Sequence, residues 1–181
     1  MPAAIVTGDL QERVKRLIRD IPDYPKPGIV FKDITPLLAS PADFIASTDA
    51  MAQPFAGAGV THVVAIESRG FILGAPVAQR LGAGFIPVRK PGKLPHTTRR
   101  EEYQLEYGTD ALEIHADACA RDSRVLVVDD VLATGGTASA TKRLVESLGA
   151  SVIGFSFLMA LRFLPGLERL EGTRAARLIE Y

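Results

Sequence analysis

Two adjacent carboxylates, Asp129 and Asp130, close an apolar run and lead into a loop of small residues: Val127-Val128-Asp129-Asp130-Val131-Leu132-Ala133-Thr134-Gly135-Gly136-Thr137. Ionised carboxylates side by side accept hydrogen bonds from a pair of vicinal hydroxyls. The small residues Ala133, Gly135 and Gly136 let successive backbone N–H groups approach an anion, and Thr134 and Thr137 add hydroxyl donors. Arg124 to Val128 has the make-up of a buried strand. Ala138 to Leu148, closed by Gly149, has the spacing of a helix whose positive end points back at the loop. Together these describe a cradle for a sugar phosphate. A Gly- and Thr-rich turn without chemistry is the plain alternative. A Walker A loop fits less well, because no Lys follows Gly136.

Other candidates are more scattered. Arg89-Lys90-Pro91-Gly92-Lys93 crowds three cations behind a strand in a chain with formal net charge +0, which suits a polyphosphate; a solvated loop is the bland reading. Arg69, between Ser68 and Gly70 just past another strand, offers a guanidinium fork and neighbouring N–H groups to further phosphate oxygens. His96 to Glu102 is polar and aperiodic, the pattern of a mobile lid, and Tyr103 and Tyr107 flank its far end either as a seal or as part of an amphipathic hairpin. Phe31 is an aromatic available for stacking or for a core. The histidines His62, His96 and His115 share no ligand spacing with each other or with Cys119, so no protein-held metal is expected.

These motifs resemble those of the type I phosphoribosyltransferases, and among them the branch that acts on adenine. The likeness extends to Pro27 through Pro36, Glu67-Ser68-Arg69-Gly70-Phe71, Val88 through Pro95 and Tyr103 through Gly108, nearly the whole chain. It implies transfer of a phosphoribosyl group from 5-phosphoribosyl 1-pyrophosphate to adenine. The donor would be held by Arg69, Arg89, Lys90, Lys93, Tyr107, Asp129, Asp130, Ala133, Thr134, Gly135, Gly136 and Thr137. Adenine would lie between Phe31 and Leu161, its edge read by main-chain groups of Val30 and Lys32, with Glu106 exchanging a proton with the purine. The resemblance further implies Mg²⁺ carried in by the pyrophosphate, a homodimer whose basic loop contributes across the interface, and a non-proline cis peptide between Glu67 and Ser68. One departure is visible: Ala160 stands where the family usually has an acidic residue before the leucine. A transferase for hypoxanthine, guanine or orotate, and a non-catalytic donor-binding regulator, are the competing functions.

The elements that must position these residues follow from patterning. Asp9 with Glu12 makes an N-cap, and Leu10, Val14, Leu17, Ile18 and Ile21 form a helical stripe. The proline-rich Ile21 to Pro36 is a structured loop or short strand, and Ser40-Pro41 opens a second helix through Met51. Beyond it the expected order is strand His62 to Ile66, helix Phe71 to Leu81 closed by Gly82, strand Phe85 to Arg89, strands around Leu105 and at Leu112 to Ile114, the elements of the acidic motif, and strand Val152 to Leu158. Buried strands alternating with helices predict an α/β fold with a central, mostly parallel sheet flanked by helices and a hairpin lid, its site beyond the carboxyl ends of the strands. At 181 residues and 47% hydrophobic the chain is expected to be a single domain, 1–181, with residues 1–40 forming a hood over the base. Lys plus Arg and Asp plus Glu each number 21, so nucleic acid is not expected as a partner. The single cysteine, and the lack of a leader or of a long apolar run, predict a cytoplasmic protein without a membrane span.

Overall fold

The computed structural model describes residues 7–104 and 109–181. In chain order these form α1 (Thr7–Arg16), β1 (Arg19–Ile21), β2 (Phe31–Asp33), α2 (Thr35–Leu38), α3 (Pro41–Ala52), a 3-10 turn Gln53–Phe55, β3 (His62–Ile66), α4 (Arg69–Leu81), β4 (Gly84–Val88), β5 (Thr98–Gln104), β6 (Thr109–His115), β7 (Arg124–Leu132), α5 (Gly136–Ser147), β8 (Ser151–Ala160), α6 (Gly166–Arg169) and β9 (Ala175–Glu180). Contacts group them into two compact units, Met1–Ala50 and Met51–Tyr181.

In the first unit Leu10, Val14 and Ile18 are buried, as the stripe predicts, but the helix stops at Arg16. Ile21 is therefore not helical. It pairs with Phe31 in the antiparallel β1–β2 ribbon, because the prolines that follow give the chain no continuation as helix. Arg13 Nε donates to Asp43 Oδ1 at 2.8 Å and ties α1 to α3. That bond, with a second from Ser40 Oγ, holds the Asp43 carboxyl below its ordinary range.

The second unit is built on a five-stranded parallel sheet in the order β4-β3-β7-β8-β9. Val63, Val64, Ala65, Val125, Leu126, Val127 and Val128 are fully buried, the near-continuous apolar runs expected of parallel strands covered on both faces. The chain leaves β3 for β4 on one side and β7 for β8 on the other. A crevice therefore opens between the carboxyl ends of β3 and β7, where ligands bind in sheets of this kind.

Several boundaries differ from the sequence reading. β7 does not end at Val128: Asp129, Val131 and Leu132 keep pairing with Phe157, Met159 and Ala160 of β8, so the acidic pair lies inside the strand. α4 and α5 each start two residues early, at Arg69 and Gly136, which places Gly136 and Thr137 in the first helical turn. Thr98–Gln104, within the stretch read as a lid, is a strand paired in register with β6, Thr98 opposite His115 and Arg100 opposite Glu113. The expected strand at Leu105 lies outside the described residues.

The sheet tolerates little extra volume where Gly154 of β8 faces Phe55. A Cβ on Gly154 would sit 2.3 Å from Phe55 Cε1 and 3.1 Å from the Arg174 carbonyl oxygen, and Phe55 is 1% exposed. Gly154→Ala is expected to destabilise the protein by about 2 kcal/mol, near the middle of the range for overpacking. That corresponds to a Tm lower by roughly 4–8 °C in calorimetry.

Candidate functional site

At the crevice α4 begins against the acidic pair. A Cβ on Gly70 would meet Asp129 Oδ1 at 2.8 Å and the Val128 carbonyl oxygen at 3.2 Å, so only glycine lets the first turn come this close. Arg69 Nε lies 2.8 Å from Asp130 Oδ2, an ion pair whose aspartate side chain is 5% exposed. Burial first, and the neighbouring Asp130 charge second, push the Asp129 carboxyl well above its ordinary range. Asp130 is also raised by burial, with the Arg69 guanidinium opposing. Asp130 Oδ2 is buried and has the Arg69 guanidinium as its neighbour, so the pair is held as an ionic couple at the edge of the crevice.

The cradle follows directly. Gly135 has φ +78°, a left-handed conformation that caps the amino end of α5, and Ser139 N donates to its carbonyl at 2.9 Å. The N–H groups of the first α5 turn have no acceptor within the helix, and the helix dipole favours an anion there. Ala133, Thr134 and Thr137 are half-buried, and Gly135 and Gly136 are buried. Behind the loop stands Gly166 of α6, unforeseen in the sequence. A Cβ there would fall 2.3 Å from the Ala133 carbonyl oxygen and 2.9 Å from Leu132 Cγ. Gly166→Ala must push the loop outward, so phosphate affinity should drop roughly tenfold or more, about 1.4 kcal/mol per decade, in calorimetric titration with AMP. A cavity of about 460 Å³ adjoins the cradle, lined by Gly136 and Ser139 of α5, Arg169, Arg143, and Tyr103 and Thr109 of the hairpin.

The basic loop is folded back onto carboxylates of its own chain. Arg89 Nε donates to Glu67 Oε2 at 2.9 Å, the Lys90 N–H to the same oxygen at 3.0 Å, and Lys93 Nζ to Glu67 Oε1 at 2.6 Å. Lys90 Nζ pairs with Asp110 of β6, and the Gly92 N–H donates to Glu113 Oε2 at 3.1 Å. Burial pulls the Glu67 carboxyl up, but the bonds from Lys93, the Lys90 amide and Arg89 outweigh it and hold the group below its ordinary range. Sequence reading passed over Glu67, Asp110 and Glu113. For Glu67 the signal is the β3–β4 register, Ile66 opposite Val88, which sets Glu67 beside Arg89 one step further on. The Glu67–Ser68 peptide is cis, as the resemblance implied.

The remaining predicted residues are placed as follows. Leu161 follows β8 and its N–H donates to the Leu132 carbonyl at 2.9 Å, beside the cradle; Ala160 before it is 1% exposed and belongs to the core. Phe31 is half-buried and meets Tyr24 edge to face with ring centroids 5.2 Å apart. Val30 is 50% exposed, and Lys32 Nζ lies 2.7 Å from Asp20 Oδ1. Tyr103 is 7% exposed within the core cluster, its hydroxyl donating to Asp110 Oδ2 at 3.2 Å, so it packs the hairpin rather than sealing a lid. Cys119 is half-buried and its thiol is raised by burial, which leaves it a poor nucleophile. Glu106 and Tyr107 lie outside the described residues.

A family model described as the phosphoribosyl transferase domain matches residues 33–169. An adenine phosphoribosyltransferase of Myxococcus xanthus is 59% identical over 164 residues, covering 91% of this chain and 89% of that protein. One of Streptomyces clavuligerus is 57% identical over 171 residues, covering 94% and 96%. Among solved structures, the adenine phosphoribosyltransferase of Thermoanaerobacter pseudethanolicus superposes with a TM-score of 0.92 at 52% identity, covering 94% of this chain and 99% of that one. The Saccharomyces cerevisiae enzyme, solved with an imino-altritol bisphosphate and adenine, gives a TM-score of 0.89 at 37% identity, covering 94% and 99%.

Proposed function

Since the chain belongs to the phosphoribosyltransferase family, in its adenine-specific branch, we propose that the residues described above carry its reaction: adenine and 5-phosphoribosyl 1-pyrophosphate give AMP and pyrophosphate. The observation that carries this reading is the juxtaposition of an acidic pair, half-buried Asp129 and buried Asp130, with the glycine-capped start of α5. Two repelling carboxylates destabilise an unliganded fold, and a ribose diol is the partner that relieves them. On this reading Asp129 and Asp130 take the ribose hydroxyls, and Ala133 through Thr137 take the 5′-phosphate. Arg69, Arg89, Lys90 and Lys93 face the departing pyrophosphate, with Tyr107 beside it.

Phe31 and Leu161 are the residues assigned to the faces of adenine, with Val30 and Lys32 main-chain groups assigned to its edge. Exposed Tyr24, Ile29 and Val30 support that assignment, since apolar surface is what a purine face desolvates. Glu106 exchanges the purine proton as N9 bonds to the sugar carbon and the bond to pyrophosphate breaks. When bound with the pyrophosphate, Mg²⁺ would supply neutralisation of its charge. Such an ion keeps much of its hydration and would be held mainly by substrate oxygens and water.

The protein is further proposed to be a cytoplasmic homodimer, its basic loop reaching the partner's pyrophosphate. A zero net charge supports small-molecule partners rather than nucleic acid, and among the described residues no helix is long and apolar enough to cross a membrane. The test is pyrophosphate release from the donor with Mg²⁺ and a panel of adenine, hypoxanthine, guanine and orotate. Adenine should be preferred by roughly 100-fold or more, the scale on which unpaired hydrogen-bonding groups reject a wrong base. Preference for another base assigns a sister activity, and no transfer to any base assigns a donor-binding regulator.

A further inference from the structure

Glu67 was absent from the sequence-derived site, yet its carboxylate gathers more of the basic loop than any group assigned to the substrate. Its side chain is 9% exposed at the carboxyl end of β3 and is fixed from behind by the Glu67 N–H donating to the Val88 carbonyl at 3.0 Å. Three donors converge on it: Arg89 Nε at 2.9 Å, the Lys90 N–H at 3.0 Å and Lys93 Nζ at 2.6 Å. The Arg89 and Lys93 side chains are themselves 35% and 50% exposed, so their outer N–H groups face away from the carboxylate. A guanidinium carries five N–H donors, so one held through Nε still has donors on its terminal nitrogens for an anion. Arg89 Nη1 also donates to the Lys93 carbonyl at 3.3 Å, which closes the loop on itself.

We propose that Glu67 is a positioning residue for the leaving group: it anchors Arg89 and Lys93 from the protein side so that their outer donors form a ready-made socket for magnesium pyrophosphate. This rests on the functional reading above and adds a residue to it. A bare pair of long cations on a Pro-Gly loop would have to be ordered at the moment of binding, and each immobilised side chain costs about 0.5–1.5 kcal/mol. Glu67 meets that ordering cost during folding. The opposite arrangement, a carboxylate that competes with pyrophosphate for the same cations, predicts the reverse sign in every binding measurement.

The experiment titrates Mg²⁺-pyrophosphate and, separately, AMP into wild type, Glu67→Gln, Arg89→Ala and the double variant. Glu67→Gln is expected to weaken pyrophosphate about tenfold and leave AMP within twofold, because AMP lacks the leaving group; unchanged AMP binding also reports an intact fold. In the Arg89→Ala background the Glu67→Gln effect should fall below threefold, since the group being positioned is gone. Arg89→Lys, which keeps the charge but cannot bond the carboxylate and present a fork at once, should lose a similar factor. Tighter or unchanged pyrophosphate binding in Glu67→Gln, additive single effects, or wild-type affinity in Arg89→Lys would each overturn the proposal. A wild-type protein that binds AMP and pyrophosphate but transfers nothing in the base panel overturns the functional reading alone.

Discussion

Asp129→Asn is expected to make the unliganded protein harder to unfold and the donor much harder to bind. The asparagine keeps the oxygen that accepts the Asp130 N–H at 2.9 Å, so the local geometry survives. What changes is charge. The Asp129 carboxyl is raised in the fold by burial and by Asp130, so folding favours its protonated form. As pH climbs from the ordinary carboxylate range through that raised value, the wild-type fold loses stability, and above it the loss is complete. An asparagine stays neutral throughout. The variant should therefore melt a few degrees above wild type near pH 7, and the gap should narrow as pH falls toward about 4, where the unfolded chain also begins to protonate the aspartate. Donor binding moves the other way. Replacing a charge-assisted bond to a ribose hydroxyl with a neutral one forfeits about 1.5–3 kcal/mol, roughly 10- to 150-fold in Kd. Calorimetric melts from pH 4 to 8, with donor titration at neutral pH, check both halves. A variant that bound donor as tightly as wild type would remove Asp129 from the ribose site.

The residues that follow a single local rule were legible in the sequence. His62 to Ile66 is β3 to the residue, Gly82 closes α4 with φ +64°, and Gly149 follows α5 with φ +86°. What escaped depends on partners distant in sequence. β7 continues past Val128 because β8 goes on offering it a ladder through Ala160, whereas two aspartates in a row look locally like an end. β9, Ala175–Glu180, is an edge strand that is defined by pairing with β8. The charged stretch Thr98 to Glu102 has the composition of a mobile loop, and it is strand because β6 sets Glu113 opposite Arg100 and Leu112 opposite Glu101. The site divides in the same way. Its acidic pair and glycines are adjacent in the chain and could be read together. The carboxylates that hold the basic loop, Glu67 and Glu113, are brought to it only by strand register and by the pairing of Arg89 with Glu113.

Glu106→Gln is expected to abolish most turnover while sparing the donor. Glu106 belongs to the segment between β5 and β6, outside the described residues, and its role comes from the resemblance; the elements on either side give that role physical content. The segment starts just past Tyr103, which is buried and donates to Asp110 at 3.2 Å, and it leads into β6, whose Asp110 also pairs with Lys90. The hairpin base is thus bonded to the same basic loop that is proposed to receive pyrophosphate. Glutamine keeps the length and polarity of Glu106 but cannot accept a proton. Removing a general acid or base of this kind lowers kcat by about 10²- to 10⁴-fold. Because the interaction exists chiefly as the proton moves, donor Kd should change by less than about threefold. Steady-state rates at saturating adenine and donor, set against calorimetric donor binding, separate the two effects. Loss of donor affinity in step with rate would make Glu106 a binding residue, and normal turnover would move the proton transfer to another group.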